Sequence, residues 1–209
     1  RETTRRNDSK IFIIMTKYVI PLLTLLFFVG CSSNKKAVDK KLVITPKIEK
    51  TAVEIPSRIP FETIVTSKKD ADGYLVGISN RFDFQDSAYK EWFDSRYQEY
   101  TTDQQVVNEI SKHIHKLTIK AFMGTWCEDS QREMPKFYKI LDQTQFDENY
   151  FQLICVDKTK KQENLEKDLN IFRVPTIIFY KNGKEIGRFV EYPRETIEKD
   201  ILKIISEQP

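Results

Sequence analysis

Cysteine is the residue in this chain best equipped for chemistry, and there are three of them: Cys31, Cys127 and Cys155. Cys127 lies in Gly124-Thr125-Trp126-Cys127-Glu128-Asp129-Ser130, where an apolar run gives way to a helical pattern. A cysteine at a helix N-terminus faces unpaired backbone N–H groups and the positive end of the helix dipole. Both favour thiolate over thiol, and the thiolate is the attacking species in disulfide exchange. Glu128 and Asp129 oppose this, because neighbouring negative charge disfavours another anion. The expected chemistry is that of a reactive sulfur nucleophile with only moderate acidification. Ser130 has two roles open to it. Its hydroxyl can donate to the Cys127 thiolate, or it can open a capping box with Glu133, since Ser-x-x-Glu is a common helix start.

The other candidates have plainer readings. Cys155 falls inside the apolar run Phe151–Val156 and reads as a small core residue. Serving Cys127 as a resolving thiol would require a Cα separation under about 7 Å. His113 and His115 are two residues apart at a helix end, so they do not share a helix face. Positive charge at a helix C-terminus accounts for them. Two histidines and two cysteines so placed lack the spacing of a zinc module, and neither a metal nor another cofactor is expected.

Cys31 belongs to an address. From Met15 the chain runs through Lys17, an apolar stretch Tyr18–Val29, and then Gly30-Cys31. This is a secretory signal layout, too short for a comfortable membrane span of about 20 residues. Phe28-Val29-Gly30-Cys31 resembles the lipobox of bacterial lipoproteins, which implies lipidation at Cys31 and a mature chain beginning there. Residues 1–14 are expected to take no part in the fold, residues 15–30 to form the signal peptide, and residues 31–60 to form a flexible Lys- and Pro-punctuated tether.

Composition sets outer limits. Of 209 residues, 40% are apolar and 31% charged, which permits a packed core. The net charge of +3 arises in residues 1–30, which hold five Lys/Arg and two Asp/Glu. The remaining 29 of each sign leave the body neutral, so nothing marks it for nucleic acid.

The elements that must position Cys127 follow from periodicity. Residues 61–115 read as an N-terminal extension packing on the core. In it Phe61–Thr66 and Tyr74–Ser79 form a hairpin. Asp86–Tyr100 follows as an aromatic helix, whose Tyr89, Trp92, Phe93, Tyr97 and Tyr100 read as buried packing. Thr102–His115 is a helix with Asp103 as its cap. Residues 116–207 form the main domain. Strands are expected at Leu117–Met123, Tyr150–Asp157, Thr176–Tyr180 and Lys184–Val190. Helices are expected at Ser130–Gln145, Lys160–Asn170 and Arg194–Ile205. Lys181-Asn182-Gly183 is a hairpin turn. The alternation predicts an α/β fold with a mixed sheet covered on both faces.

Residues 117–206 resemble thioredoxin. The likeness rests on four features in order: the strand leading to Trp126-Cys127, Pro135 eight residues after that cysteine, Val174-Pro175-Thr176 before a strand, and the Lys-Asn-Gly hairpin. It implies a thioredoxin-like fold and a cis Pro175 against Cys127. It also implies a site in which Cys127, Ser130 and Pro175 are catalytic and Trp126, Glu128, Asp129, Val174 and Thr176 meet the substrate. The whole looks like a membrane-tethered thioredoxin-family protein of a bacterial envelope, facing the periplasm. Two positions depart from the family. Ser130 replaces the second motif cysteine, and Ala121 stands where the family buries an acidic residue in the strand. A mixed disulfide at Cys127 then needs an outside thiol for its release. The leading expectation is thiol–disulfide exchange or isomerisation through one cysteine, with protein or small-molecule thiols and disulfides as partners. The alternative is a redox-inactive thioredoxin-fold binding module, with partner contacts through Trp92 and the tyrosines. A glutaredoxin-like role with glutathione or an iron–sulfur cluster is opposed by the secretory address and by the Glu128-Asp129 pair.

Overall fold

The computed structural model describes residues 58–206 apart from Thr63. The signal peptide, the lipobox with Cys31 and most of the tether lie outside the described residues. Six strands form one sheet: β1 (Lys68–Lys69), β2 (Leu75–Ser79), β3 (Leu117–Met123), β4 (Phe151–Cys155), β5 (Thr176–Lys181) and β6 (Lys184–Val190). Four α-helices accompany it: α1 (Lys90–Glu99), α2 (Gln104–Ile114), α3 (Glu128–Gln143) and α4 (Ile197–Ser206). The strand order is β1-β2-β4-β3-β5-β6, with β3 and β4 parallel and every other pair antiparallel. The central strands β3 and β4 are buried almost throughout, as a parallel pair covered on both faces requires.

Two apolar clusters lie against this sheet. The larger contains Ala121, Met123, Leu153, Cys155 and Phe179 together with buried residues of all four helices. It also takes in Leu75, Phe84, Tyr89 and Phe93 of the N-terminal extension. Phe84 is fully buried, stacked on Phe93 with centroids 4.8 Å apart and edge-on to Tyr138 of α3. Lys139 of α3 donates to the carbonyls of Tyr97 (2.9 Å) and Tyr100 (2.6 Å), placing a cation at the C-terminus of α1. The aromatic residues of this region are therefore packing residues. The smaller cluster holds Phe122, Ile154, Val156, Ile171, Val174 and Ile178, with Trp126 and Cys127 packed against it.

Three expectations are corrected. Lys160–Asn170 is a chain of turns, not a helix. The Asp157 carboxylate accepts the Thr159 and Lys161 amides at 2.8 and 3.1 Å, and the amides of Leu165, Lys167 and Leu169 close four-residue turns. Lys160, Glu163, Asn164, Asp168 and Asn170 all have φ between 48° and 65°, which no α-helix admits. The hairpin exists, but its first strand is Lys68–Lys69 and not Phe61–Thr66. Gly77, at φ +114°, lets Thr66 approach so closely that a Cβ there would meet the Thr66 oxygen at 2.7 Å. The main-chain link at that point is Thr66 N–H to Ile78 O, 2.9 Å. Finally, α3 begins two residues earlier than expected, at Glu128, with consequences for Ser130.

Phe84 tests whether the extension belongs to the core. Phe84→Ala should cost about 3–5 kcal/mol of unfolding free energy in urea titrations of the full chain. A loss below about 1 kcal/mol would show that the aromatic cluster is peripheral.

Candidate functional site

The loop between β3 and α3 is pinned at every residue. Trp126 lays its ring over Gly124, where an added Cβ would fall inside the indole. The indole N–H donates to the Val156 carbonyl at 2.9 Å, just past the end of β4. Cys127 N–H donates to Gly124 O at 3.0 Å, and Gln131 N–H donates to Cys127 O at 3.0 Å as α3 begins. Cys127 is the N-cap residue of α3 and is half-buried.

The Val174–Pro175 peptide is cis, as the family likeness implies. The Cys127 thiol donates to the Val174 carbonyl, with Sγ 3.2 Å from the oxygen. Cys127, Val174 and Pro175 are thus brought together. Thr176 turns its hydroxyl to the Arg173 carbonyl at 2.7 Å and so braces this turn. Glu191 N–H donates to Pro175 O at 2.7 Å, and the Glu191 carboxylate pairs with Arg173. Glu128 is exposed, while Asp129 is paired with Arg132 at 2.5 Å. One of the two acidic neighbours of the sulfur is therefore neutralised.

The capping-box role expected of Ser130 is not what the structure contains. Ser130 lies within the first turn of α3, fully buried, and its Oγ accepts the Gly124 N–H at 3.2 Å. Glu133, the intended partner in a capping box, is also buried, and it is held by Arg132 (2.6 Å) and Lys136 (3.2 Å). The capping box is overturned because the cap position falls on Cys127, three residues ahead of where Ser-x-x-Glu would put it. Ser130 instead fastens the end of β3 to α3.

Cys155 is fully buried in the larger cluster, whereas Cys127 packs on the smaller one. Burial pushes the Cys155 thiol up to about 12, against a smaller opposing effect of a hydrogen bond with Ser79. His113 lies in the last turn of α2 and His115 caps it, its ring stacked on Phe146 with centroids 6.5 Å apart. Among the described residues no three His, Cys, Asp or Glu side chains are grouped to hold a metal. Sequence reasoning missed Phe172, Arg173, Val190 and Glu191, which the fold gathers around Pro175 and Thr176, and Tyr192, which follows them in the chain. Phe172 is 76% and Tyr192 60% exposed. No periodicity marks them, because they lie in one loop and at the end of β6, joined only by tertiary structure. Their one signal is the large apolar side chains of Phe172, Val190 and Tyr192.

The family profile described as Thioredoxin matches residues 98–203. A thioredoxin of Malassezia sympodialis is 32% identical over 75 residues, covering 36% of this chain and 69% of that protein. A thioredoxin of Gallus gallus is 29% identical over 97 residues, covering 46% and 88%. Among solved structures, reduced Schistosoma mansoni thioredoxin pre-protein is similar at 27% identity, covering 51% and 95%, with a TM-score of 0.32.

The two described sulfurs should separate by chemistry. At neutral pH a small alkylating agent should label Cys127 and spare Cys155 in the folded chain, as peptide mapping would read. Comparable labelling of both would contradict the burial of Cys155. Because its folded value lies above the ordinary thiol value of about 8.5, Cys155 contributes stability that is complete below that pH. The contribution is lost as pH rises towards 12. Cys155→Ala should accordingly flatten the alkaline fall in unfolding free energy.

Proposed function

The chain belongs to the thioredoxin family of thiol–disulfide oxidoreductases, and we propose that it works through one sulfur, Cys127, without a resolving partner of its own. The observation that carries this reading is the half-buried Cys127 sulfur at the N-cap of α3, hydrogen-bonded to the Val174 carbonyl. The thiol proton leaves to solvent, and the thiolate attacks one sulfur of a substrate disulfide. A Cys127–substrate bond forms, the substrate's own S–S bond breaks, and the departing thiolate takes up a proton. Ser130 has no sulfur with which to reverse this. Release comes from a second thiol. If that thiol belongs to the same substrate, the outcome is isomerisation with no net redox change. If small thiols do it, two are consumed: the first displaces the reduced substrate and stays on Cys127 as a mixed disulfide, and the second frees Cys127, leaving the small disulfide as the oxidised product. Exposed Phe172 and Val190, which line one groove with Thr176 next to Pro175, favour polypeptide substrates over small ones.

The reading extends to a lipid anchor at Cys31 and a tether over residues 31–60, holding the domain at a bacterial envelope membrane on the periplasmic side. Its support is the sequence Phe28-Val29-Gly30-Cys31 after a short basic and apolar start. Among the described residues no helix is long and apolar enough to cross a membrane. Labelling with a fatty acid in a bacterial host should mark the wild-type chain and not Cys31→Ser; equal labelling of both would remove the anchor from the account.

A second reading is a binding module that has lost redox chemistry. It is favoured by the direction of the Cys127 hydrogen bond, which a thiol can make to the Val174 carbonyl and a thiolate cannot. The two readings part on one experiment. In its native envelope, wild-type protein should accumulate mixed disulfides on non-reducing gels, and Cys127→Ala should lose them entirely. Partner capture that persists unchanged in Cys127→Ala would establish the binding module instead.

A further inference from the structure

Thr125 stands two residues before Cys127, is 3% exposed, and takes no part in the exchange described above. Its hydroxyl accepts the Leu75 N–H at 2.9 Å in a buried hydrogen bond. Two residues before Leu75, the Gly73 carbonyl accepts the Tyr89 hydroxyl at 2.8 Å. Tyr89 thus braces the segment from Gly73 to Leu75, and the Leu75 amide in turn holds Thr125. The carbonyl of Thr125 is held as well, by Gln131 Nε2 of α3 at 2.7 Å.

The sheet explains why a side chain is needed here. β4 pairs with β2 only over Gly77–Ser79, and beyond Cys155 it turns instead towards β3, Val156 N–H bonding Met123 O. Leu75 N–H is left beyond the end of that ladder, and Thr125 Oγ takes the place of the missing strand.

We propose that Thr125 is a positioning residue for Cys127, held by the Leu75 amide in a segment that Tyr89 braces at Gly73, so that the extension before residue 98 is a working part of the site. The proposal rests on the reading of Cys127 as the reacting sulfur. The influence of a helix N-terminus fades within its first turn, and the thiol is a weak donor. A loosened Thr125 therefore costs Cys127 its alignment on α3 more than it frees the sulfur from Val174. The net effect is a less reactive sulfur at neutral pH.

The test uses the full chain carrying Cys31→Ser and Cys155→Ser, with the rate of Cys127 alkylation followed against pH. Thr125→Val should slow the reaction at neutral pH roughly three- to tenfold, the scale set by one buried hydrogen bond, and displace the profile to higher pH. Thr125→Ser should restore both. Tyr89→Phe keeps the ring and removes the brace on Gly73, and should shift the profile in the same direction by a smaller amount. Tyr97→Phe loses a hydroxyl bonded to Asp142, also between α1 and α3, and should leave the profile where it was. If Thr125→Val fails to fold, as judged by circular dichroism, Tyr89→Phe decides. A wild-type profile in Tyr89→Phe and, where folded, Thr125→Val overturns the proposal while leaving the function of Cys127 intact. A wild-type sulfur inert to both alkylating agent and disulfide overturns that function as well.

Discussion

The site depends on a register. β3 and β5 pair antiparallel with Phe122 opposite Thr176. From that pairing one chain runs on to Cys127 and the other runs back to Val174. The two meet as a thiol against a carbonyl at 3.2 Å. A slip of one residue in this pair would turn every side chain of β5 to the wrong face, and the sulfur would lose its partner. Buried positions on both strands prevent that slip: Ile119, Ala121 and Phe122 on β3, and Ile177, Ile178 and Phe179 on β5, all without exposure.

Around this meeting point the polar groups are satisfied by neighbours from distant parts of the chain. Gly124 N–H goes to Ser130, the Trp126 indole to Val156, and Leu75 N–H to the hydroxyl of Thr125. A loop this fully bonded is rigid, and rigid presentation is what a reacting atom needs. The same bonding explains why the extension cannot be treated as an appendage. Its Leu75, Phe84, Tyr89 and Phe93 share a core with α3, and its backbone holds the residue two before the sulfur.

Much of this was legible in the residues. β3 and β6 fall where alternation and apolar runs put them, and Asp103 caps α2 through the Gln105 and Val106 amides. The meeting of Cys127 with Val174 was readable only through family likeness, since 47 residues separate them. Two failures have clear causes. Leu165 and Leu169 have helical spacing and do pack on the smaller cluster, yet the Asp157 side chain and five left-handed residues make that segment turns. Ser130 has the pattern of a cap, but the cap position is fixed by where β3 releases the chain, and that gave it to Cys127. The loop bearing Phe172 carried no pattern at all, because only the fold makes it a neighbour of Val190.

The account stands on a single reactive sulfur with no internal route of release. Intact-mass analysis of the full chain carrying Cys31→Ser, after exposure to a small neutral disulfide, tests this directly. The account predicts one adduct per chain, mapped to Cys127, that persists after removal of the reagent and disappears only when an external thiol is added. Spontaneous loss of the adduct with a mass two hydrogens below that of the free chain would reveal a bond between Cys127 and Cys155, and would contradict it.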